Sequence, residues 1–325
     1  MSKLQNPDNV RLIALNSNPA LAKELADELG IGLADATINH FSDGEIQVRI
    51  NSSVRGLEVY VLQSVSDPVN DNLMELMIAC DALHRASAGK VNVIMPYYGY
   101  ARQDRLARAR EPITAKLVAN LLTMDNIDRL ITIDLHAAQV QGFFNIPVDH
   151  LRAAPIFAHY MKEHGLTDNA VVVSPDHSGV SLARSFAELI NAPIAIVDNR
   201  NDEVRERDDQ EVPEYVIGDV KGKTAIIVDD IIDTGVRMKL SAAALKKQGA
   251  SRIFGVATHA VLSGHAKDEL ESSEIEKVLL TNTIQIPPEK QFPKLIQLSV
   301  APMLSDAVNH IHNNIALDDI WQFNR

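Results

Sequence analysis

The chain has 325 residues, of which 46% are apolar and 23% charged, and a formal net charge of −12. That composition describes a globular protein with a full core and length enough for two domains, and the acidic balance argues against sequence-independent nucleic-acid binding. A single cysteine, Cys80, excludes an intrachain disulfide, and no stretch approaches the roughly 18 uncharged apolar residues of a membrane span, so the expectation is a cytoplasmic protein.

Runs rich in β-branched residues alternate with helical periodicity along nearly the whole chain. In order, the pattern predicts strand Val10–Leu15, helix Pro19–Leu29, strand Val59–Gln63, helix Asn70–Ala88, strand Val91–Met95, helix Ile113–Met124 and strand Arg129–Ile133. Then come helix Ala153–Glu163, strand Ala170–Val173, helix Ser178–Ile190, strands Pro193–Val197 and Thr224–Val228, helix Met238–Gln248, strands Arg252–Thr258 and Lys277–Thr281, and helix Met303–Asn313. Strand and helix in alternation predict an α/β fold, with mainly parallel sheets flanked by helices. The pattern runs twice. The expected domains are 1–150 and 151–302, with a C-terminal helix and tail, 303–325, packing on the N-terminal domain. The segment Asp198–Glu214 stands apart, with eight acids and three arginines, and reads as a mobile surface excursion or a lid over the strand end at Val197.

Chemistry concentrates where strands end. After Thr224–Val228 come Asp229, Asp230, Asp233, Thr234 and Gly235, just before a helix. Free backbone N–H groups and the helix dipole favour a phosphate there, and vicinal carboxylates can accept the paired hydroxyls of a ribose. After Val91–Met95, the run Pro96–Arg110 brings four arginines within nine residues beside tyrosines, a combination suited to phosphate oxygens and a stacked base. Asp134 and His136 end one strand and Asp176 and His177 follow another. Such pairs can serve Mg²⁺, which keeps several waters and needs few protein ligands, or be merely structural. Phe41–Glu45 reads as a turn carrying two acids.

Taken together, Phe41-Ser-Asp-Gly-Glu, Asn70-Asp-Asn-Leu-Met-Glu-Leu, Tyr100-Ala-Arg-Gln-Asp, Glu111-Pro-Ile-Thr-Ala-Lys-Leu, Asp134-Leu-His-Ala, Gln141-Gly-Phe-Phe, Ser174-Pro-Asp-His, Asp229-Asp-Ile-Ile-Asp-Thr and Thr281-Asn-Thr-Ile resemble the class I ribose-phosphate pyrophosphokinases, the phosphoribosyl diphosphate (PRPP) synthetases. The resemblance runs from Arg11 to the C-terminal helix. It implies two phosphoribosyltransferase-like domains, assembly into homo-oligomers (dimers or hexamers), and transfer of diphosphate from Mg·ATP to ribose 5-phosphate, giving PRPP and AMP. It assigns Asp43, Glu45, Arg102 and Gln103 to ATP, the first two acting on a neighbouring subunit's nucleotide. His136 and Asp176 go to Mg²⁺, Asp229 and Asp230 to the ribose hydroxyls, and Asp233, Thr234 and Gly235 to the 5-phosphate. Ser53, Arg55 and Ser87 match part of a regulatory phosphate site.

The departures from the family pattern lie at anion contacts. The family's catalytic loop begins Asp-Lys-Arg-Arg, and this chain reads Asp198-Asn-Arg-Asn201, so Asn199 and Asn201 flank Arg200 where two cations close on the transferring phosphates. The 5-phosphate loop continues with Val236 and Arg237 in place of a glycine and a hydroxyl residue. Val236 is strained if its φ is positive, and Arg237 either binds the phosphate by charge or fills the pocket. Leu106, Ala109 and Ser178 replace a lysine, a serine and a glycine, and Asp318 falls where the regulatory site expects a serine. Three readings follow: a PRPP synthetase with an unusual loop and doubtful turnover, a non-catalytic regulatory paralogue that binds nucleotide and co-assembles with an authentic synthetase subunit, and a phosphoribosyltransferase, which the arginine segment and the two-domain length disfavour.

Overall fold

The computed structural model describes residues 4–198 and 215–317. The described residues form two units, the first from residues 4–152, 283–285 and 299–317, the second from 153–198, 215–282 and 286–298.

The first unit contains β1 (Val10–Ala14), α1 (Pro19–Leu29), a hairpin of β2 (Ala36–His40) and β3 (Ile46–Ile50), β4 (Glu58–Leu62), α2 (Val69–Arg85), β5 (Lys90–Met95), α3 (Thr114–Met124), β6 (Arg129–Ile133) and β7 (Val148–Leu151). Five strands pair in parallel in the order β1-β4-β5-β6-β7. Their inner residues read as continuous apolar runs because helices cover both faces: Val59, Val61, Val93 and Leu130 are wholly buried. Helix α1 shows how local signals set an element. Asn18 caps it by accepting the Leu21 N–H at 3.1 Å, Pro19 opens it, and Gly30 closes it at φ 68°. Its buried face, Leu21, Ala22, Leu25, Ala26 and Leu29, repeats at helical spacing.

The second unit contains α4 (Ala154–Glu163), β8 (Ala170–Ser174), α5 (Val180–Ile190), β9 (Ile194–Asp198), β10 (Tyr215–Ile217), β11 (Thr224–Ile232), α6 (Val236–Lys247), β12 (Arg252–Ala260), α7 (Ala266–Glu271), β13 (Lys277–Thr281) and β14 (Leu295–Leu298). The chain ends its described part with α8 (Ala301–His312), which belongs to the first unit and packs on α1. There the His312 ring bridges Glu58 Oε2 at 2.7 Å and the Gln5 carbonyl at 2.6 Å. The second sheet runs β10-β9-β8-β11-β12-β13-β14, parallel except for β10. Strand order therefore reverses between β8 and β11, and ligands of open α/β sheets bind at the carboxyl ends of strands at such a point.

Strands β7, β10 and β14 and helix α7 have no counterpart in the sequence expectation, and three further differences bear on the candidate site. The β2–β3 hairpin lies in a stretch read only as a turn between elements. Strand β11 runs to Ile232, four residues past the expected end. Its neighbour β8 stops pairing at Ile227, while β12 stays in register as far as Ile232↔Ala260. Helix α6 begins at Val236, two residues early, because the tight turn at Gly235 already sets the helical path.

Candidate active site

The second unit gathers its chemistry at the switch point. Asp176 follows β8 in a tight turn, where Ser174 Oγ donates to the Asp176 carbonyl at 2.7 Å. Gly179 is needed there, since a Cβ would come within 2.8 Å of Ser174 Oγ. The Asp176 carboxylate accepts Ser178 Oγ–H at 2.6 Å and the Gly179 N–H at 2.9 Å on Oδ1, and on Oδ2 it meets Arg237 Nη1 at 2.6 Å. The same guanidinium nitrogen lies 4.0 Å from Asp229 Oδ2. Burial pushes the Asp176 carboxyl up. The Ser178 and Gly179 hydrogen bonds and the Arg237 charge together outweigh it and hold the group below the usual carboxylate range.

Asp229 behaves oppositely. Burial drives its carboxyl well above the ordinary range, the charge and side-chain hydrogen bond of adjacent Asp230 add to this, and the Arg237 charge and the Asp230 backbone N–H oppose it. Both acids sit where β11 has outrun β8. Beyond them Asp233 Oδ1 accepts the Ser263 hydroxyl, and the Ser263 N–H donates to the Asp233 carbonyl at 3.0 Å, which pins the loop. Thr234 is exposed, and Gly235 turns the chain at φ 79° into α6. Val236 opens the helix with a φ outside the positive range, so the strain expected of a β-branched residue there does not arise. The loop thus leads into the first N–H groups of α6, an arrangement that favours an anion, with Arg237 at the helix's second position.

In the first unit, the candidate nucleotide residues lie on the hairpin and along one sheet edge. Asp43 and Glu45 occupy the exposed β2–β3 turn, where the Glu45 N–H donates to Asp43 Oδ1 at 3.1 Å and the Phe41 N–H to the Glu45 carbonyl at 2.7 Å. Arg102 and Gln103 follow β5. Both are exposed, and Gln103 Oε1 accepts Thr114 Oγ1–H at 2.5 Å while its carbonyl takes the Ala115 N–H at 3.1 Å, tying the turn to the start of α3. His136 follows β6, the neighbour of β5, and is exposed beside buried Asp134. Arg55 Nη1 reaches Ser87 Oγ at 3.0 Å, which brings two of the expected regulatory residues together, while Ser53 is exposed.

Two contacts around these positions, that of Glu75 with its partners and that of His177 with Asp198, are not read from the sequence. Buried Glu75 accepts Asn16 Nδ2–H at 2.7 Å and Gln63 Nε2–H at 2.9 Å and lies 3.2 Å from His40 Nε2, so it moors the hairpin that carries Asp43 and Glu45. Its signal was present in the Asn70–Leu76 motif, but its partners come from three separate elements. His177 Nε2 lies 3.2 Å from Asp198 Oδ1, and Asp198 pairs antiparallel with Tyr215. Asn199, Arg200, Asn201, the remainder of the expected lid and Asp318 lie outside the described residues.

The described residues contain no group of three or more His, Cys, Asp or Glu side chains that could hold a metal ion. Asp176, expected to serve Mg²⁺, carries a guanidinium on one oxygen and two hydrogen bonds on the other. In this arrangement its donor set does not fit a divalent ion. No helix among the described residues is long and apolar enough to cross a membrane.

A reversed parallel sheet with acids, hydroxyl and glycine leading into a helix at its switch point, joined to a second parallel α/β unit, is the architecture of paired phosphoribosyltransferase-like domains. Residues 10–125 match the family model described as the N-terminal domain of ribose phosphate pyrophosphokinase, and residues 208–322 match the phosphoribosyl synthetase-associated domain. The chain is 56% identical to a putative ribose-phosphate pyrophosphokinase 2 of Lactiplantibacillus plantarum over 99% of both chains. It is 51% identical to a ribose-phosphate pyrophosphokinase of Listeria ivanovii over 96% of this chain and 97% of that one. Among solved structures, a phosphoribosylpyrophosphate synthetase from Mycobacterium smegmatis matches with a TM-score of 0.88 at 41% identity, covering 94% of this chain and 99% of that one. The chain belongs to the ribose-phosphate pyrophosphokinase family.

Proposed function

We propose that this chain keeps its family's grips on ATP and ribose 5-phosphate, transfers diphosphate poorly by itself, and serves as a nucleotide-binding subunit alongside an active PRPP synthetase. The ribose hydroxyls go to Asp229 and Asp230, and the 5-phosphate to the loop from Asp233 through Gly235 and the first N–H groups of α6. The nucleotide goes to Arg102 and Gln103, with Asp43 and Glu45 offered to a neighbouring subunit's ATP. Mg²⁺ is the family's companion ion for ATP.

The observation that carries this reading is the exchange of two loop cations for amides, Asn199 and Asn201, beside a run from Asp229 to Gly235 that keeps the ribose carboxylates. Diphosphate transfer rests on positioning and on neutralising charge spread over the phosphoryl oxygens, and a neutral amide cannot supply the second. By the scale of arginine fingers, the loss is about 10³-fold or more in rate. The exposed hairpin with Asp43 and Glu45 supports the partner role, since it needs none of the altered residues to complete another subunit's pocket.

The test is AMP release from Mg·ATP and ribose 5-phosphate by the purified chain and by a repaired variant carrying Asn199→Lys, Asn201→Arg, Val236→Gly and Arg237→Thr. The expected result is turnover only in the repaired chain. Robust turnover by the unrepaired chain favours a fully active synthetase and sinks the proposal. Mixing with an authentic synthetase checks the partner role: neither co-purification nor a change in rate counts against it.

A further inference from the structure

The position of Arg237 is unusual for a cation. It is the second residue of α6, where the helix dipole disfavours positive charge, so helix stability does not explain it. What holds it is carboxylate: Asp176 Oδ2 at 2.6 Å and Asp229 Oδ2 at 4.0 Å, with Asp230 adjacent in the chain. The other Asp176 oxygen is committed to Ser178 and Gly179. A divalent ion on Oδ2 would sit about 2.1 Å from that oxygen, hence within about 5 Å of the guanidinium, in strong like-charge repulsion.

With the β11–α6 loop read as a ribose-phosphate site, as proposed, we infer that Arg237 is the resident cation of this pocket. Its guanidinium takes the place at Asp176 that a divalent ion would occupy, so the sugar phosphate binds here without a metal, and a divalent ion reaches Asp176 only when Arg237 is removed. The plain alternative is a surface ion pair with no bearing on ligands. The two differ in what the pocket does with a free divalent ion.

Binding of Mn²⁺ to the purified chain, followed by loss of its free-ion paramagnetic resonance signal, separates them. Arg237→Thr, and Arg237→Gln as a variant closer in length, should tighten Mn²⁺ association by about fivefold, the upper scale of one partly exposed charge pair. Adding Asp176→Asn to Arg237→Thr should abolish that gain. Equal Mn²⁺ affinity in the unaltered chain and both single variants overturns the inference, as does a gain that survives Asp176→Asn. Calorimetric titration with ribose 5-phosphate, in chelator and then in excess Mg²⁺, gives the second readout. The unaltered chain should bind equally in both, and Arg237→Thr should bind more tightly with Mg²⁺. Mg²⁺-dependent binding by the unaltered chain overturns the inference. No binding in either condition instead overturns the ribose-phosphate reading, while the Mn²⁺ comparison still decides the role of Arg237.

Discussion

Gly235 is the hinge on which the loop geometry turns, and Gly235→Ala tests it. The residue sits at φ 79°, where an alanine costs about 1 kcal/mol relative to glycine. A Cβ there would also lie 3.0 Å from the Ala266 carbonyl oxygen and 3.2 Å from Leu270 Cγ. Both partners are fixed, since Ala266 and Leu270 are fully buried in α7, so the loop and not the neighbour must shift. Together the two effects should destabilise the second unit by roughly 2–3 kcal/mol. Gly222→Ala provides the comparison: its φ is 71°, and an added Cβ meets nothing within 4 Å, so it carries the backbone cost without the contact. Urea unfolding monitored by circular dichroism should place the midpoint of Gly235→Ala below that of Gly222→Ala, and both below the unaltered chain. Ribose 5-phosphate binding should fall only in Gly235→Ala. Equal midpoints for the two variants would refute the steric reasoning, and unchanged ribose 5-phosphate binding would refute the assignment of this turn to the phosphate.

Asp229 gives a prediction with a definite sign. Its folded carboxyl holds a proton more tightly than the unfolded chain does, so stability falls as pH rises from the ordinary carboxylate value through the raised folded value. Asp229→Asn does not titrate, and should raise the thermal midpoint at neutral pH while making little difference near pH 4, where the native carboxyl is largely protonated. The same variant should lose ribose 5-phosphate affinity; a lowered midpoint at neutral pH would contradict the burial account. Cys80 is 1% exposed, and burial pushes its thiol far up, so the native protein should not react with a thiol reagent. Its labelling should follow urea unfolding of the first unit, and rapid labelling without urea would show that the α2 core is open.

Much of the fold was legible because parallel strands covered on both faces leave unbroken apolar runs. Ala170–Ser174 and Ala225–Val228 are buried throughout, and a reading of apolar periodicity finds them. The β2–β3 hairpin was not legible because it is only half covered: Ala36–His40 and Ile46–Ile50 alternate intermediate and exposed residues, with Asn39, His40 and Arg49 among them. The end of β11 was hidden for a related reason. Carboxylates read as the close of a strand, but β12 continues alongside and keeps Asp229 to Ile232 in the sheet. At the site, residue types and spacing revealed Asp229, Asp230, Asp233 and Gly235 as a local constellation. The partner of Arg237 could not be read that way, because Asp176 is 61 residues distant in sequence and only the adjacency of β8 and β11 brings them together.

That adjacency bears on how the proposed ribose grip could persist where turnover is proposed to fail. The switch point concentrates Asp176, Asp229 and Asp230, and buried like charges require a counter-charge to remain ionised together. A cation supplied by the fold itself, such as Arg237, neutralises them before any ligand arrives and equally after it leaves. Rate acceleration demands interactions that strengthen in the transition state, whereas a charge already satisfied by Asp176 offers nearly the same stabilisation to both states. The cations able to follow developing phosphoryl charge would sit at positions 199 and 201, and there the chain has amides. On that proposal, positive charge has in effect moved from positions 199 and 201 to Arg237 at the start of α6, where it pairs with Asp176. Under the proposed reading, restoring the two loop cations by Asn199→Lys and Asn201→Arg while leaving Arg237 in place should therefore recover less turnover than the full four-site repair, and the difference should shrink once Arg237→Thr is added.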